Sequence, residues 1–397
     1  MTRSILVVNA GSSSIKFQLF EAGPPATLLR RLKGRLEGIG TDHPRLLAWD
    51  EKDSPLGDLT LEPARAATGE LAQTALGGWI TDHLGEPPSA VGHRVVHGGR
   101  EFKNPVLVDD AVLARLEALV PLAPLHQPHN LAPIRSIRTR VPQLPQVACF
   151  DTAFHASLPE LSRRFAIPES LYQKGIRRYG FHGLSYEFIA SQLPTIAPEI
   201  AKGRVIVAHL GSGASACAMV AGRSVDSTMG FSTLDGLPMG TRPGQLDPGI
   251  LLYLAQQGMT EGEIEHLLYH DCGLLGLSEL SGDVRDLLAS PLPAAAMALD
   301  YFAWQTAKAF AGLTVSMGEL DGIVFTAGVG ENAAKIRAMI CERCAWMGVR
   351  LDAGRNVIHG TRIDADLSAV PVYVIPTDEE QMVARHTLDL LDASGAS

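Results

Sequence analysis

The chain has 397 residues, 46% hydrophobic and 19% charged, with a net charge of −9 and a pI near 5.8. That length supplies two or more domains, each able to bury its own core. The acidic balance argues against a nucleic-acid binder, which needs a basic face, so an anion site here has to be a local basic patch. No charged-then-apolar leader follows Met1, so no secretory signal is expected. The longest mostly apolar stretch, Val205 to Gly222, is interrupted by His209, glycines and serines and does not read as a membrane span. Five cysteines, an odd and sparse number, suit a reducing cytosol better than a disulfide framework.

The first informative stretch is ILVVNAGSSSIKFQLF, Ile5 to Phe20. Ile5 to Val8 is a short apolar run that suits a buried strand. Asn9, Gly11 and Ser12 to Ser14 are turn formers. Ile15, Phe17 and Leu19 then alternate with Lys16 and Gln18, the periodicity of a strand. Such a turn can hold phosphate, because glycine admits close backbone approach and amides and hydroxyls donate together. An ordinary hairpin with a serine-rich turn reads equally well. The P-loop pattern is absent, and a strand rather than a helix follows.

Residues 21–75 read as peripheral strands and loops. SAVGHRVVHGG, Ser89 to Gly99, reads as a strand ending in Gly-Gly, with His93, Arg94 and His97 in it. An arginine within a β-branched run is costly to bury unpaired, so Arg94 is either salt-bridged or an anion ligand. Val106 to Val120 predicts an amphipathic helix, and the prolines of Pro121 to Pro133 predict a nonhelical loop carrying His126 and His129. Gln146 to His155 predicts an apolar strand ending at Asp151, a position that suits a metal or acid–base group and equally a helix cap. Arg177 to Ala190 predicts a turn into a helix, with His182 between Phe181 and Gly183.

Arg204 to Phe231 repeats the opening design: strand Val205 to Leu210, glycine turn Gly211, Ser212 and Gly213, strand Ala214 to Val220 and strand Arg223 to Ser227. Two such units half a chain apart suggest two related halves. Leu234 to Gly249 is a Gly/Pro loop carrying Arg242, and Ser278 to Leu287 holds Asp283 and Arg285. Pro293 to Met317 predicts a long apolar helix. The next segment predicts a strand, a turn at Gly328 and Gly330 that suits an anion or nucleotide, and a helix from Glu331 or Asn332. The spacing is not a Rossmann fingerprint. A last strand leads into Thr377, Asp378, Glu379 and Glu380, which open a final helix. Cys341 and Cys344 read as helix cysteines rather than a redox or zinc motif. His266 and His270 read as a surface pair rather than a metal site.

Phosphate turns, a nucleotide-like turn, two arginines and strand-end carboxylates together indicate phosphoryl transfer with a divalent metal. At this point the chain resembles the acetate kinase family, within the acetate and sugar kinase, actin and heat-shock ATPase superfamily. VVNAGSSSIKF and VGHRVVHGG are similar to the family's signature stretches, and CFDTAFH, RRYGFHG, MGTRPGQLDPG, FTAGVGEN and PTDEE follow in family order. The resemblance implies an α/β fold of two ribonuclease-H-like (actin-like ATPase) domains with a nucleotide cleft between them. The expected division is 1–150, completed by a C-terminal helix 384–397, and 151–383. The implied reaction is reversible, direct in-line transfer from ATP to acetate, giving acetyl phosphate and ADP.

By the same resemblance, Asn9, Asp151 and Glu379 lie around Mg²⁺, with Mn²⁺ as an alternative. Asp151 also helps orient the acetate carboxylate. Arg94 and Arg242 grip the carboxylate and the transferring phosphoryl group, and His182 with His126 stabilises its equatorial oxygens. Ser12, Ser14 and Lys16 form the first phosphate turn, and His209, Leu210, Gly211, Ser212 and Gly213 the second. Asp283, Val284 and Arg285, with Gly328, Val329, Gly330, Glu331 and Asn332, hold the nucleotide, and Ile336 packs on adenine. Val96, Leu125, Phe181 and Thr233 line or border the methyl pocket. The partners implied are small molecules only, with no nucleic acid and no membrane, in a cytoplasmic homodimer.

Three departures from the family pattern stand out. Ser212 replaces the usual Asn of HLGNG; Leu184, Ser185 and Tyr186 replace the usual Thr-Ser-His after FHG; and Thr233 replaces a proline beside the acyl pocket. The last leaves chain-length preference open. Competing readings are a propionate or butyrate kinase, and a non-catalytic or filament-forming ATPase of the actin type.

Overall fold

The structure, a computed structural model, describes residues 3–23, 27–84 and 87–394. Residues 395–397 of the expected final helix lie outside the described residues. The chain divides into two compact units, Met1–Ala153 with Asp378–Ser397, and Phe154–Thr377.

The first unit is built on an eight-stranded sheet in the order β5-β4-β3-β2-β1-β6-β8-β7. Strands β1 (Arg3–Ala10), β2 (Ser14–Gly23), β3 (Thr27–Glu37), β4 (Arg45–Asp50) and β5 (Pro55–Thr60) run antiparallel to their neighbours. On the other side of β1, β6 (Ala90–Val95) and β8 (Gln146–Phe150) join parallel, and β7 (Val106–Leu107) closes the edge. Alternation along β6 separates two packing faces. Val91 and Val95 join apolar clusters with helices α1 (Gly69–Leu84), α2 (Asp110–Glu117) and α3 (Gln127–Arg140). Gly92 faces the final helix. A Cβ there would lie 2.5 Å from Thr387 Oγ1 and 2.6 Å from Val383 Cγ1, so only glycine lets that helix lie this close to the sheet.

The second unit carries a five-stranded sheet, β11-β10-β9-β12-β13. Strands β9 (Arg204–Leu210), β10 (Ala214–Val220) and β11 (Arg223–Ser227) form an antiparallel meander, and β12 (Gly322–Thr326) and β13 (Val372–Val374) extend it in parallel from β9. This is the order β3-β2-β1-β6-β8 of the first unit, and the ribonuclease-H-like arrangement that the resemblance implies. Helix α4 (Gly183–Ile196) buries Tyr186, Ile189 and Leu193 against Val205, Val207, Cys217 and Met219. The long helix α5 (Pro293–Met317) buries Ala298, Phe302 and Phe310. Helices α6 (Ala327–Asn332) and α7 (Ala334–Arg343) follow β12, and α8 (Glu379–Ser394) ends the described chain.

Three local expectations are corrected. Val106 to Val120 is not one helix: its first two residues pair in β7, and α2 starts only after Asp109, whose side chain accepts from the Val112 amide. Pro121 to Pro133 is not all loop, because α3 begins at Gln127 with Pro128 in its first turn. A proline there gives up only an amide that has no intrahelical acceptor. Finally, Gly328 and Gly330 lie inside α6, not in a turn before a helix; Ala327, at φ 64°, makes the bend instead. The final helix starts at Glu379 and joins the first unit whole, five residues earlier than position 384.

Burial sets the charge of several histidines. His93, His97 and His155 are each at most 2% exposed, and burial holds each at a pKa of about 4. Their folded pKa values lie below the unfolded value near 6.5, so the unfolded chain takes up protons first as pH falls. Stability is therefore expected to be full above about pH 6.5 and to drop toward about pH 4, by about 1.4 kcal/mol per pH unit for each histidine. Urea titrations at a series of pH values check this, and a flat profile between about pH 6.5 and about pH 5 would contradict it.

Candidate functional site

In the first unit the ends of β6 and β8 place Arg94 beside Asp151. The Asp151 amide bonds the Val95 carbonyl at 3.1 Å, which fixes the carboxylate just past the strand. Arg94 then donates through Nε and Nη2 to the two Asp151 oxygens at 3.0 and 2.5 Å, and through Nη1 to Asn9 Oδ1 at 3.2 Å. Glu379, the first residue of α8, lies 3.5 Å from Arg94 Nε. Asn9 Nδ2 in turn donates to Glu380 at 3.4 Å, and Lys16 sits opposite Asn9 in the β1–β2 register.

This cluster carries more negative than positive charge. Burial pushes the Glu379 carboxyl up from its ordinary value and Glu380 adds to the rise, while Arg94 opposes it. For Arg94, burial alone would lower the pKa, but Asp151 and Glu379 hold it above the ordinary arginine value. Asn9, Asp151 and Glu379 offer hard oxygen donors, the chemistry Mg²⁺ prefers, and such an ion needs only one or two carboxylates because it keeps several waters. Among the described residues no group of three or more His, Cys, Asp or Glu side chains forms a ready-made metal cage.

In the second unit, His182 stands at the N-cap position of α4 in the left-handed region at φ 56°. Its ring stacks on that of His209, at the end of β9, with centroids 4.1 Å apart. The β9–β10 turn is closed by the Gly211 amide on the Gly213 carbonyl at 3.0 Å, and the Gly240 amide bonds Ser212 O at 3.1 Å. A Cβ on Gly213 would lie 3.1 Å from Arg242 Nη2 and 3.4 Å from His182 Nε2, so turn, guanidinium and imidazole converge on one small space. Arg242 donates to the Thr233 carbonyl at 2.9 Å, and among the described residues no carboxylate pairs with it. Burial lowers its pKa, with Tyr269 opposing. A partly buried cation without a counterion is a place where an anion gains free energy.

Beside that space lies a cavity of about 720 Å³, within the range of small-molecule sites. Of the residues expected to hold nucleotide, Gly211, Ser212, Asp283, Val284, Arg285, Gly328, Val329 and Asn332 line it. His209, Leu210, Gly213, Gly330 and Glu331 do not; Glu331 instead accepts from the Thr377 amide at 3.2 Å. Ile336 is fully buried and outside the lining, and the wall offers Leu288 and Val329 as apolar surface. Arg285 pairs with Asp283 at 2.5 Å at the surface.

Ser12 is exposed and Ser14 half-buried at the β1–β2 turn. His126 stands at the N-cap position of α3 and is half-buried. Val96 and Phe181 are buried, while Leu125 and Thr233 are half-buried. Cys341 and Cys344 are buried, and burial pushes both thiols up, Cys344 to about 12, which makes them inert. The rings of His266 and His270 are tilted by 38° with centroids 4.9 Å apart, and His266 Nε2 lies 3.6 Å from Asp271.

Sequence reasoning missed Asn130. Its buried side chain donates to the Ala10 carbonyl at 2.7 Å and accepts from the Val96 amide at 2.9 Å, clamping the end of β1 to the residue that follows β6, just beyond Arg94. Asn130 lies in the proline-rich stretch that was expected to be loop, so no periodicity marked it. Asn130→Ala strands a buried amide and a buried carbonyl. It is expected to cost about 1–3 kcal/mol, read as a lower urea midpoint; an unchanged midpoint would show that water replaces the clamp.

The acetokinase family pattern matches residues 4–385. The chain is 55% identical over 396 residues to the acetate kinase of Nitrobacter hamburgensis, covering 99% of this chain and 98% of that protein. It is 49% identical over 394 residues to the acetate kinase of Rhizobium meliloti, covering 99% and 100%. Among solved structures, a propionate kinase from Francisella tularensis aligns with a TM-score of 0.90 at 37% identity, covering 98% of this chain and 99% of that one. The Porphyromonas gingivalis acetate kinase aligns at 0.86 and 34%, covering 98% and 100%. With a full-length family match and relatives this similar, the chain belongs to the acetokinase family.

Proposed function

We propose that the protein is an acetate kinase, transferring the γ-phosphoryl group of ATP to acetate, reversibly and in line, to give acetyl phosphate and ADP. The observation that carries this reading is the convergence of Arg242, His182 and the β9–β10 turn on the space at Gly213. In this reaction an acetate oxygen forms a bond to phosphorus while the bond from phosphorus to the bridging oxygen of ADP breaks. Acetate attacks as the carboxylate and ADP leaves as an anion, so no general base is required. What the protein has to supply is alignment and positive or N–H groups around the moving phosphoryl group.

Arg242 would hold the transferring phosphoryl group, and His182 would donate to its equatorial oxygens, with His126 as a second donor. Arg94, oriented by Asp151, would hold the acetate carboxylate. Ser12, Ser14 and Lys16 would bind phosphate, and the cavity beside Gly211 would take the nucleotide, with Leu288 and Val329 as apolar contacts. Asn9, Asp151 and Glu379 would hold Mg²⁺ or Mn²⁺, which when bound neutralises phosphate charge. A cytoplasmic homodimer completes the proposal; exposed Met297, Trp304 and Val315 on α5 are consistent with a covered face, and sedimentation of the purified protein tests it. ADP formation with acetate and Mg²⁺, set against the same mixture lacking acetate, tests the activity. Equal rates in the two would defeat it.

The arginines are expected to differ. Arg242→Ala removes a cation that balances no carboxylate among the described residues, so kcat should fall roughly 10³-fold with little loss of stability. Arg94→Ala leaves Asp151, 1% exposed, without its bidentate partner, so activity and melting temperature should fall together. Near-native kcat in Arg242→Ala would refute its role.

The similarity to a propionate kinase keeps a second substrate in view. One added methylene in an apolar pocket is worth about 1–3 kcal/mol, so kcat/KM is expected to fall roughly 10- to 200-fold from acetate to propionate and further for butyrate. A higher value for propionate would move the proposal to that substrate while leaving the transfer chemistry in place.

A further inference from the structure

His182 is held by a chain of hydroxyls. Its Nδ1 lies 2.8 Å from Ser215 Oγ, and Ser215 Oγ lies 2.5 Å from the Tyr186 hydroxyl. Ser215 and Tyr186 are both fully buried. A phenol, with a pKa near 10, is the more acidic of these two hydroxyls and the better donor. Tyr186 therefore donates to Ser215, and the single Ser215 proton is left to donate to Nδ1. An imidazole that accepts at Nδ1 carries its own proton at Nε2, the nitrogen that faces the space at Gly213. The stacked partner is held the same way: His209 Nδ1 lies 2.8 Å from Ser185 Oγ, which lies 2.9 Å from Thr377 Oγ1.

Resting on the proposed phosphoryl transfer, we propose that Tyr186 and Ser215 are positioning residues that lock His182 as the neutral Nε2–H tautomer, so that it serves as a hydrogen-bond donor to the transferring group and not as an acid or a cation. Protonating Nδ1 would turn it into a donor toward Ser215 and strand the buried Ser215 proton. His209 stacks on the face of His182 and Arg242 lies across the space at Gly213, so a second positive charge there is repelled. His182 also sits at a positive φ, a conformation that persists where neighbours over-determine it.

The test is ¹⁵N NMR of the full chain labelled at histidine, with the His182 signals assigned by their loss in His182→Gln. The expected result is a protonated Nε2 and an unprotonated Nδ1 between about pH 6 and about pH 8. Tyr186→Phe frees the Ser215 proton to turn away. It is expected to admit the Nδ1–H form and to lower kcat roughly 10-fold, the loss of about one hydrogen bond, with both KM values within about twofold. Tyr186→His, which keeps a donor, should recover most of kcat. If Tyr186→Phe does not fold, Ser215→Ala carries the same test. An Nδ1–H tautomer in the unmodified chain, or a Tyr186→Phe protein with unaltered tautomer and kcat, overturns the proposal. So does a drop in kcat with the tautomer unchanged. The spectra need no substrate, so absence of acetate-dependent ADP formation would defeat the proposed activity and leave the tautomer result to stand or fall by itself.

Discussion

A guanidinium and a carboxylate locked in a bidentate pair at the ends of two parallel strands are what the first unit is arranged around. Arg94 and Asp151 can meet because β6 and β8 run side by side in the same direction, with Arg94 opposite Cys149 and Val95 opposite Phe150. Each would be expensive to bury alone. Together they still leave a surplus of acid, because α8 brings Glu379 and Glu380 to the same place. That approach depends in turn on Gly92, whose missing Cβ gives α8 its room. Pair, glycine and helix therefore form one mechanical unit, and the surplus negative charge suits it to a divalent cation.

The second unit uses the same strand order for the opposite electrostatic purpose. Its turn after the first strand lies beside a partly buried arginine without a carboxylate among the described residues and beside a stacked pair of histidines. In both, the charged and polar side chains described above gather at the turn after the first strand and at the ends of the parallel strands. Side chains at those positions are held by a rigid sheet yet escape its hydrogen-bond ladder.

Backbone polar groups explain why the sites are stable as well as charged. Asn130 satisfies the ends of β1 and β6 with one amide group, and Gln127 accepts from the His97 amide and donates to the carbonyls of His97 and Leu116. Arg337, fully buried, donates to the carbonyls of Gly330, Glu331 and Asn356 and so ties down the end of α6. Buried amides and guanidinium groups of this kind are expensive unless every partner is present, so these bonds hold the loops to the strands they follow.

Much of the sheet structure could be read from the sequence, because strand periodicity is a local property. Ile15, Phe17 and Leu19 alternate with polar neighbours and are buried in β2, and the repeat at Val205 to Ser227 became β9, β10 and β11. The family resemblance, too, rests on short motifs that survive in order along the chain. Reading failed where local chemistry had two physical solutions. Prolines at 128 and 133 suggested loop, yet a proline suits the first turn of a helix, and α3 used that option. Glycines at 328 and 330 suggested a turn, yet they lie inside α6. Tertiary structure alone decided which polar groups meet. Nothing in sequence spacing joins Tyr186 to Ser215, Asn130 to Ala10 or Arg94 to Glu379, because those contacts are made by packing between elements far apart in the chain. Local pattern determined the strands and the turn chemistry; charge state and pairing came from burial and from partners that only the folded chain supplies.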